Sequence, residues 1–253
     1  MILDDLKGKR VLVTGGSSGI GAAVAKGFHD HGAAVAIHYF SGEAAARKLA
    51  AGMTGGAKAA VIAGDVRTVA GAASIVEQTV KALGGIDVLV NNAGGMVQAS
   101  KLTSYDDAVF DEVVNLNIRS ILAVTRAALP QLKASGQGSI INTGSIAGRN
   151  GGQPGSSLYA AAKAAVHSLT KGMAVEFAPD GIRANAVAPG LILTRFHEKT
   201  SPERLESVRM SVPLRRLGTA EDCVGACLFL ASAAMSGYVT GAIIDVNGGR
   251  LMP

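Results

Sequence analysis

Tryptophan is absent from this 253-residue sequence, aromatic residues amount to 4%, and there are only two cysteines. Cys223 and Cys227 are four residues apart in an apolar helical stretch, where the geometry for a disulfide is poor. No histidine or third cysteine stands near them to complete a metal site. We therefore expect two buried thiols in a reducing compartment, the cytoplasm, and no bound metal. Asp4 and Asp5 precede any apolar run, which is not typical of a secretory signal.

The sequence also lacks a block of like charges. Its 24 Lys and Arg outnumber its 19 Asp and Glu, and the resulting net charge of +5 is scattered along the chain. No basic stripe with interleaved aromatic residues is present, which argues against nucleic acid as a partner. Residues 223–244 carry no charge and are long enough to span a bilayer, but a turn cluster around Ser236, Gly237 and Gly241 interrupts them. We expect a helix and a strand of a protein core there, and no membrane segment.

Small and branched apolar residues are abundant. Hydrophobic residues make up 48% and glycines number 33, a composition typical of tightly packed parallel sheets. Strands are predicted at residues 10–14, 34–38, 58–63, 86–90, 139–142, 183–187 and 242–246. Helices are predicted at residues 22–28, 42–53, 68–83, 104–134, 159–178 and 220–230, the fourth bending at Asn115 and Asn117. This alternation predicts an α/β fold, a single domain over residues 1–253 with a parallel sheet covered by helices on both faces.

The first strand leads into a glycine-rich turn that is followed by a helix. The turn reads Thr14-Gly-Gly-Ser-Ser-Gly-Ile-Gly21. In this order the backbone N–H groups and a helix N-terminus face a phosphate, and glycine permits its close approach. The spacing differs from G-x-G-x-x-G, and the Lys-Ser/Thr of a P-loop is missing. A tight structural turn between strand and helix is the alternative reading of this motif alone.

Tyr159 and Lys163 are four residues apart at the start of a helix, so both side chains lie on one face. The ammonium should lower the phenol pKa below its ordinary value of about 10, which suits reversible alcohol–ketone chemistry. Ser145 follows the fifth strand. Five features follow the carboxyl ends of parallel strands, namely the glycine turn, Asp65, the 91–94 turn, Ser145 and Pro189. We therefore expect them to converge on one cleft.

Together these motifs resemble the short-chain dehydrogenase/reductase family over nearly the whole chain. The matching features are the 14–21 run, Asn91-Asn92-Ala93-Gly94, Asn117, Ser145, Tyr159-x-x-x-Lys163 and Pro189-Gly190. The resemblance implies a seven-stranded, doubly wound Rossmann-type sheet. It also implies an NAD(P)(H)-dependent oxidoreductase that interconverts a ketone and a secondary alcohol.

The resemblance further assigns a catalytic tetrad. Tyr159 passes the proton, Ser145 polarises the substrate oxygen, Lys163 lowers the Tyr159 pKa and holds the nicotinamide ribose, and Asn117 holds a water of a proton relay. Asn115 is a nearby rival for the last position. The residues expected to contact the cofactor, besides Tyr159 and Lys163, are Gly15, Ser17, Ser18, Gly19, Ile20, Gly21, Tyr39, Ser41, Asp65, Val66, Asn92, Ala93, Gly94, Pro189, Gly190, Ile192 and Thr194. Asn91 is expected to fasten neighbouring strands, and residues 191–212 to form a lid.

The end of the second strand bears on the choice between NAD and NADP. An acid there accepts the ribose hydroxyls and repels a 2′-phosphate, but the sequence reads His38-Tyr39-Phe40-Ser41, with no acid before Glu43. This favours NADP(H), with NAD(H) as the alternative, although Ser18 stands where many NADP-preferring members have a basic residue.

Three functions agree with these features. The first is a reductase of 3-oxoacyl-type carbonyl substrates, and the second is an NAD-dependent sugar, polyol or steroid alcohol dehydrogenase. The third is a dinucleotide sensor without catalysis, which has no need of Tyr159 and Lys163. The substrate is expected to be a small molecule, and the resemblance implies a homotetramer assembled through the last strand and the long helices.

Overall fold

The strands are short, rich in β-branched residues and almost free of charge. A computed structural model describes residues 3–198 and 200–253, and the strands of this part of the chain form one parallel sheet in the order β3-β2-β1-β4-β5-β6-β7. They are β1 Arg10–Val13, β2 Ala34–Tyr39, β3 Ala59–Ala63, β4 Val88–Asn91, β5 Ser139–Thr143, β6 Arg183–Pro189 and β7 Ile243–Val246. The predicted α/β class and seven-stranded doubly wound sheet are thereby confirmed.

Helices connect the strands and cover both faces of the sheet. They are α1 Gly19–Asp30, α2 Glu43–Gly52, α3 Val69–Leu83, α4 Asp107–Val114, α5 Ser120–Ala134, α6 Ala147–Asn150, α7 Ser157–Phe177, α8 Pro202–Ser211, α9 Val224–Ala231 and α10 Ala233–Ser236. Short 3₁₀ turns occur at Asp4–Leu6, Ala178–Asp180, Arg195–His197 and Ala220–Cys223.

Successive residues of a strand point to opposite faces, and this creates two cores. In β1, Leu12 packs into a core with Ile75 of α3 and Val124 of α5. Its neighbours Val11 and Val13 pack into the other core, with residues of α1 and α9 such as Phe28 and Leu228. Because both faces are buried, the strands read as continuous apolar runs rather than alternating ones.

Several predicted helix starts and the predicted bend differ from the structure. The helix predicted from residue 104 begins at Asp107, because the Asp106 side chain caps it by accepting from the Ala108 N–H. The helix predicted from residue 22 begins at Gly19, inside the glycine motif. The bend predicted at Asn115 and Asn117 is a π-helical turn, Asn115–Arg119, that joins α4 to α5.

The uncharged stretch 223–244 divides into α9, α10 and β7, as the turn cluster predicted. Within the described residues, no helix has the length and apolar character to cross a membrane. Cys223 and Cys227 are buried, free thiols whose pKa is raised by burial, as expected from their spacing.

The strand order reverses between β1 and β4, which are neighbours in the sheet. The segment that follows β1 and the segment that follows β4 therefore cross the sheet in opposite directions. A crevice remains between them at the carboxyl ends of the two strands. The glycine turn follows β1, and the 91–94 turn follows β4. The fold thus places both motifs at the same opening.

Candidate active site

The glycine turn is held by a histidine to which the sequence reasoning gave no role in the site. The Gly15 N–H donates to His38 Nδ1 at 3.0 Å, and the Gly16 N–H donates to the His38 carbonyl at 2.8 Å. His38 Nε2 is 3.1 Å from the Gly64 carbonyl, and burial lowers the pKa of His38. A neutral ring that accepts at Nδ1 and donates at Nε2 therefore joins the turns that follow β1 and β3.

Two positions of the glycine motif require glycine for different reasons. Gly19 adopts φ +53°, and a Cβ on it would lie 3.2 Å from Thr194 Cγ2, so the predicted lid rests against the turn. Gly21, predicted as a cofactor contact, is not among the residues that line the cleft. A Cβ on Gly21 would be 2.3 Å from the Gly15 carbonyl oxygen, which makes it a packing residue of the turn.

The 91–94 turn is fastened to the glycine turn by side chains. Asn92 Nδ2 donates to the carbonyls of Thr14 and Gly15 at 3.0 and 3.2 Å, and Thr14 Oγ1 accepts from the Asn92 and Ala93 N–H groups. Asn91 Nδ2 donates to Asn142 Oδ1 on the adjacent strand at 3.0 Å. The expectation that Asn91 fastens neighbouring strands is confirmed, and Asn92 lines the cleft with its side-chain amide already bonded.

The predicted proton-transfer residues come together at the other end of the cleft. Ser145 follows β5, Tyr159 and Lys163 lie one turn apart on α7, and all three line the cleft. Lys163 Nζ donates to the Thr143 carbonyl at 2.7 Å and lies 5.6 Å from the centroid of the Tyr159 ring. The Ser145 hydroxyl accepts from the Ala147 N–H at 3.1 Å, which fixes its position beside the phenol.

The expected lowering of the Tyr159 pKa by Lys163 is wrong. Burial raises the pKa of Tyr159 to about 12, and the Ser145 hydroxyl offsets this only in part. Burial also lowers the pKa of Lys163 to about 8. Removal of both groups from water therefore outweighs their mutual interaction across 5.6 Å. At neutral pH the phenol keeps its proton, which is the form that a proton donor needs.

Asn117 is fully buried in the π-helical turn and lies behind the lining of the cleft. Its Nδ2 donates to the carbonyls of Gly95 and Val113 at 2.8 and 3.0 Å, and its Oδ1 accepts from the Gly95 N–H at 3.0 Å. A Cβ on Gly94 would lie 2.9 Å from Asn117 Oδ1 and 3.1 Å from Lys163 Nζ. Asn117 is therefore next to the lysine across a glycine backbone.

Its rival Asn115 has a different environment. Asn115 Oδ1 accepts from Nε of the exposed Arg119 at 2.7 Å. The geometry thus favours Asn117 as the member of the predicted tetrad.

The end of the cleft away from Tyr159 contains a charged cluster that the sequence reasoning missed. The Arg67 guanidinium pairs with Asp65 at 2.8 Å and with Glu112, and it lies over the Phe40 ring at 4.7 Å from the centroid. The Arg67 pairing lowers the pKa of Asp65. Phe40 and Ser41 line the cleft, whereas Tyr39, predicted as a cofactor contact, is not among the lining residues. Because β2 extends through Tyr39 and not only to the predicted residue 38, the residues that reach the opening begin at Phe40.

A second histidine that sequence reasoning left out lies beneath the Ser145 loop. His167 Nε2 is 3.5 Å from the Ser145 N–H, and a Cβ on Gly144 would be 2.3 Å from it. Burial, together with the charges of Arg149, Lys163 and Lys171, lowers the pKa of His167 to about 4. The ring is therefore neutral at pH 7. No local signal in the sequence marks this contact, since it joins residues 22 positions apart.

The whole cleft has the shape and lining that a dinucleotide requires. Its volume is about 930 Å³, at the upper end of the roughly 300–1,000 Å³ typical of ligand pockets. Apart from Gly21 and Tyr39, every residue predicted to contact the cofactor lines it. At Gly15 an added Cβ would lie 3.1 Å from Ala93 and Asn92, and at Gly94 it would lie 3.1 Å from Lys163 Nζ, so glycine lets the two turns and the lysine pack closely together where they line the cleft. The residues present therefore fit NAD(P)(H).

The predicted lid runs along the rim of the cleft, and its residue 199 lies outside the described part. Ile192 pairs with Gly218 as an isolated β-bridge, after which the chain makes the Arg195–His197 turn and α8. The Phe196 ring packs against the Tyr159 ring with centroids 5.7 Å apart. This segment therefore forms one wall of the space in front of the phenol.

Comparison with known proteins agrees with this geometry. A family model described as Enoyl-(Acyl carrier protein) reductase matches residues 15–250. The 3-oxoacyl-[acyl-carrier-protein] reductase of Thermotoga maritima is 39% identical over 98% of this chain and 99% of its own length. The NADH-dependent reductase A1-R′ complexed with NAD matches with a TM-score of 0.89 and 40% identity over 100% of both chains. A short chain dehydrogenase from Burkholderia cenocepacia in complex with NADP matches with a TM-score of 0.90 and 34% identity, over 97% of this chain and 99% of the other.

Proposed function

The chain belongs to the short-chain dehydrogenase/reductase family of NAD(P)-binding oxidoreductases, and we propose that it interconverts a ketone and a secondary alcohol with Tyr159 as the acid and base. One observation carries this proposal. Ser145, Tyr159 and Lys163 face the same end of a cleft whose other end is a glycine cradle. A protein that only sensed a dinucleotide has no use for a buried phenol and ammonium at that end.

When bound, NAD(P)(H) supplies or accepts the hydride at the carbonyl carbon. The residues of the chain handle the proton and the charge on the oxygen. Because burial keeps the Tyr159 phenol protonated at neutral pH, Tyr159 donates its proton to the ketone oxygen during reduction. The Ser145 hydroxyl, beside the phenol, donates a hydrogen bond to the same oxygen as negative charge develops on it.

Lys163 and Asn117 support the proton transfer from the side of α7. The Lys163 ammonium is anchored on the Thr143 carbonyl and faces the cleft, where it binds the ribose hydroxyls and replenishes the Tyr159 proton. Asn117, held across Gly94 from the ammonium, positions a water through which Lys163 exchanges protons with solvent. Each of these roles is part of the proposal.

We propose NADP(H) as the preferred cofactor. No carboxylate stands at the end of β2, and the residues there that line the cleft are Phe40, Ser41 and Gly42. The Ser17 side chain abuts the Gly42 backbone, since a Cβ on Gly42 would lie 2.7 Å from Ser17 Oγ. This supports NADP(H), because the hydroxyls of Ser17 and Ser41 are the donors that we propose for a 2′-phosphate.

The charged cluster at this end favours the second candidate, an NAD-dependent sugar, polyol or steroid alcohol dehydrogenase. Asp65 and Glu112 together carry two negative charges against the one positive charge of Arg67. The excess negative charge opposes a 2′-phosphate. The two candidates thus differ in a measurable property, the relative affinity for NADPH and NADH.

The substrates we propose are 3-oxoacyl-type and similar carbonyl compounds. The test is an initial-rate assay of NADPH and NADH oxidation with a panel of 3-oxo esters and thioesters, sugars and steroid ketones, together with NADP⁺ and NAD⁺ reduction by the corresponding alcohols. Turnover of a 3-oxo compound with NADPH supports the proposal, and turnover only of polyols or steroids with NAD⁺ supports the second candidate. Cofactor binding without turnover of any substrate would support the third function, a dinucleotide sensor without catalysis.

A further inference from the structure

Three arginines line the end of the cleft beyond Tyr159. Arg195 lies in the 3₁₀ turn that packs on Tyr159, Arg204 lies on α8, and Arg250 lies in the tail after β7. The three positions are far apart in the sequence, and only the fold brings them to one opening. None of them belongs to the motifs from which the function was inferred.

These arginines face no carboxylate in the cleft. Among the described residues, the acids that line the cleft are Asp65 and Glu112, and both pair with Arg67 at the opposite end. Arg204 Nη2 donates to the neutral amide oxygen of Gln153 at 2.5 Å. The guanidinium groups of Arg195 and Arg250 have no hydrogen bond or ion pair within the described part of the chain.

The protein has ten other arginines. Six of them pair with a carboxylate at 3.0 Å or less, namely Arg10, Arg47, Arg67, Arg149, Arg209 and Arg216. The other four, Arg119, Arg126, Arg183 and Arg215, also have no carboxylate partner within the described residues, but they do not line the cleft. Arg195, Arg204 and Arg250 therefore bring three positive charges without a carboxylate partner to one end of the cleft. A recess lined by one sign of charge raises the local concentration of ligands of the opposite sign.

Arg250 is held in place by the turn that carries it. Asn247 Oδ1 accepts from the Gly249 N–H and Asn247 Nδ2 donates to the Leu251 carbonyl, both at 2.9 Å. Arg250 is half-buried, and burial together with the charge of Arg204 lowers its pKa. Arg204 itself is exposed, and an anion that binds both guanidinium groups removes their mutual repulsion.

We propose that the substrate is a carbonyl compound that also carries an oxyanion, which is either a carboxylate or a phosphate. Arg250 and Arg204 bind this oxyanion, while Tyr159 donates its proton to the carbonyl oxygen. This inference rests on the proposed ketone–alcohol chemistry and names its substrate class. The guanidinium fork matches both oxyanions in a bidentate manner, so the test has to distinguish them.

The activity test uses matched pairs of substrates that differ in charge. Acetoacetate is compared with ethyl acetoacetate, and dihydroxyacetone phosphate with dihydroxyacetone, each with NADPH and with NADH. We expect kcat/KM for the anion to exceed that of its neutral partner by about tenfold or more in one pair, and that pair identifies the oxyanion. Arg250→Gln should abolish this preference by raising the KM of the anion. Arg126→Gln, at an exposed arginine of α5, is the control and should keep the preference.

A binding measurement keeps the inference testable without turnover. The thermal unfolding midpoint of the protein is measured with acetoacetate, dihydroxyacetone phosphate or sodium chloride at equal ionic strength. A rise produced by one oxyanion in the parent and in Arg126→Gln, but lost in Arg250→Gln, supports the inference. Equal turnover of charged and neutral partners, or no rise with either oxyanion, overturns it. If no carbonyl compound oxidises the cofactor, but an oxyanion raises the unfolding midpoint in a manner that depends on Arg250, the proposed reaction is overturned and the anion site is retained.

Discussion

At the scale of single residues, the histidine beneath the Ser145 loop has a measurable signature in acid. The pKa of His167 is about 4 in the folded protein and 6.5 as its ordinary value. As the pH falls from 6.5 toward 4, the unfolded chain binds a proton that native His167 excludes, and the free energy of unfolding therefore falls. By pH 5 this loss amounts to about 2 kcal/mol.

His167→Gln retains an acceptor for the Ser145 N–H and removes the titration. We expect its thermal unfolding midpoint to fall less between pH 7 and pH 5 than that of the parent, while the two proteins differ little in acid sensitivity above pH 7. Identical acid sensitivity in both proteins would contradict the burial of a neutral ring at this position.

Cofactor preference is also decided by single residues. In Ser41→Asp, a carboxylate at the end of the second strand accepts the ribose hydroxyls and repels a 2′-phosphate. We expect the Kd of NADPH, from fluorescence titration, to rise by about tenfold or more, with that of NADH unchanged or lowered. Ser41→Asn is the matched control without charge. Unaltered NADPH binding in Ser41→Asp would show that the 2′-position lies elsewhere.

At the scale of elements, the π-helical turn Asn115–Arg119 contains two asparagines, Asn115 and Asn117, whose replacement should have different effects. Asn117→Ala leaves the Gly95 N–H and the Gly95 and Val113 carbonyls without their buried partner, which should cost about 2 kcal/mol or more of stability. We also expect kcat to fall at least about tenfold, because the proposed relay loses its water. Asn115→Ala removes only a bond to an exposed arginine and should change stability by about 0.5 kcal/mol or less. Equal effects in the two variants, by thermal unfolding and initial rates, would contradict this assignment.

The elements themselves were largely predictable from the sequence. The strands appear as β-branched apolar runs and the helices as longer segments between glycines, and both lie within a few residues of their predicted bounds. The convergence of Ser145, Tyr159 and the glycine turn follows from the rule that parallel strands open at their carboxyl ends. Departures arose where a side chain decides the local end, as Asp106 does by capping α4.

The remaining features of the site depend on contacts that no local pattern records. His38 joins the turns at Gly15 and Gly64, and Arg67 reaches Glu112, 45 residues away. The Tyr159 pKa was expected to fall because the sequence shows the lysine beside it and does not show how deeply both are buried. Tyr39 was expected to follow the second strand, whereas β2 extends through it.

At the scale of the whole molecule, two apolar surfaces favour the predicted homotetramer. Strand β7 lies at the edge of the sheet, next to the fully exposed Tyr238, and an uncovered edge invites pairing. On the helices α4, α5 and α7, the side chains of Phe110, Leu122 and Val175 are exposed, Val175 by 79%. Two different self-complementary surfaces with two-fold axes generate a tetramer.

Light scattering at micromolar concentration should therefore give about four times the chain mass of 25.5 kDa. Val175→Glu, which places charge in the helical surface, should reduce the mass to that of a dimer, and Val69→Glu, at an exposed valine of α3, should not. A mass near that of one chain for the parent protein would contradict the assembly.

The central claim, hydride transfer to a carbonyl carbon with the proton from Tyr159, is tested most directly by isotope transfer. The protein is mixed in ordinary water with NADPH carrying two deuterons at the nicotinamide C4 and the best ketone of the panel, and the product alcohol is analysed by mass spectrometry. We expect one deuteron on the carbinol carbon, and, in Tyr159→Phe, a rate lower by several orders of magnitude with unchanged cofactor affinity. An alcohol without deuterium, or a Tyr159→Phe variant of near-normal rate, would contradict the claim.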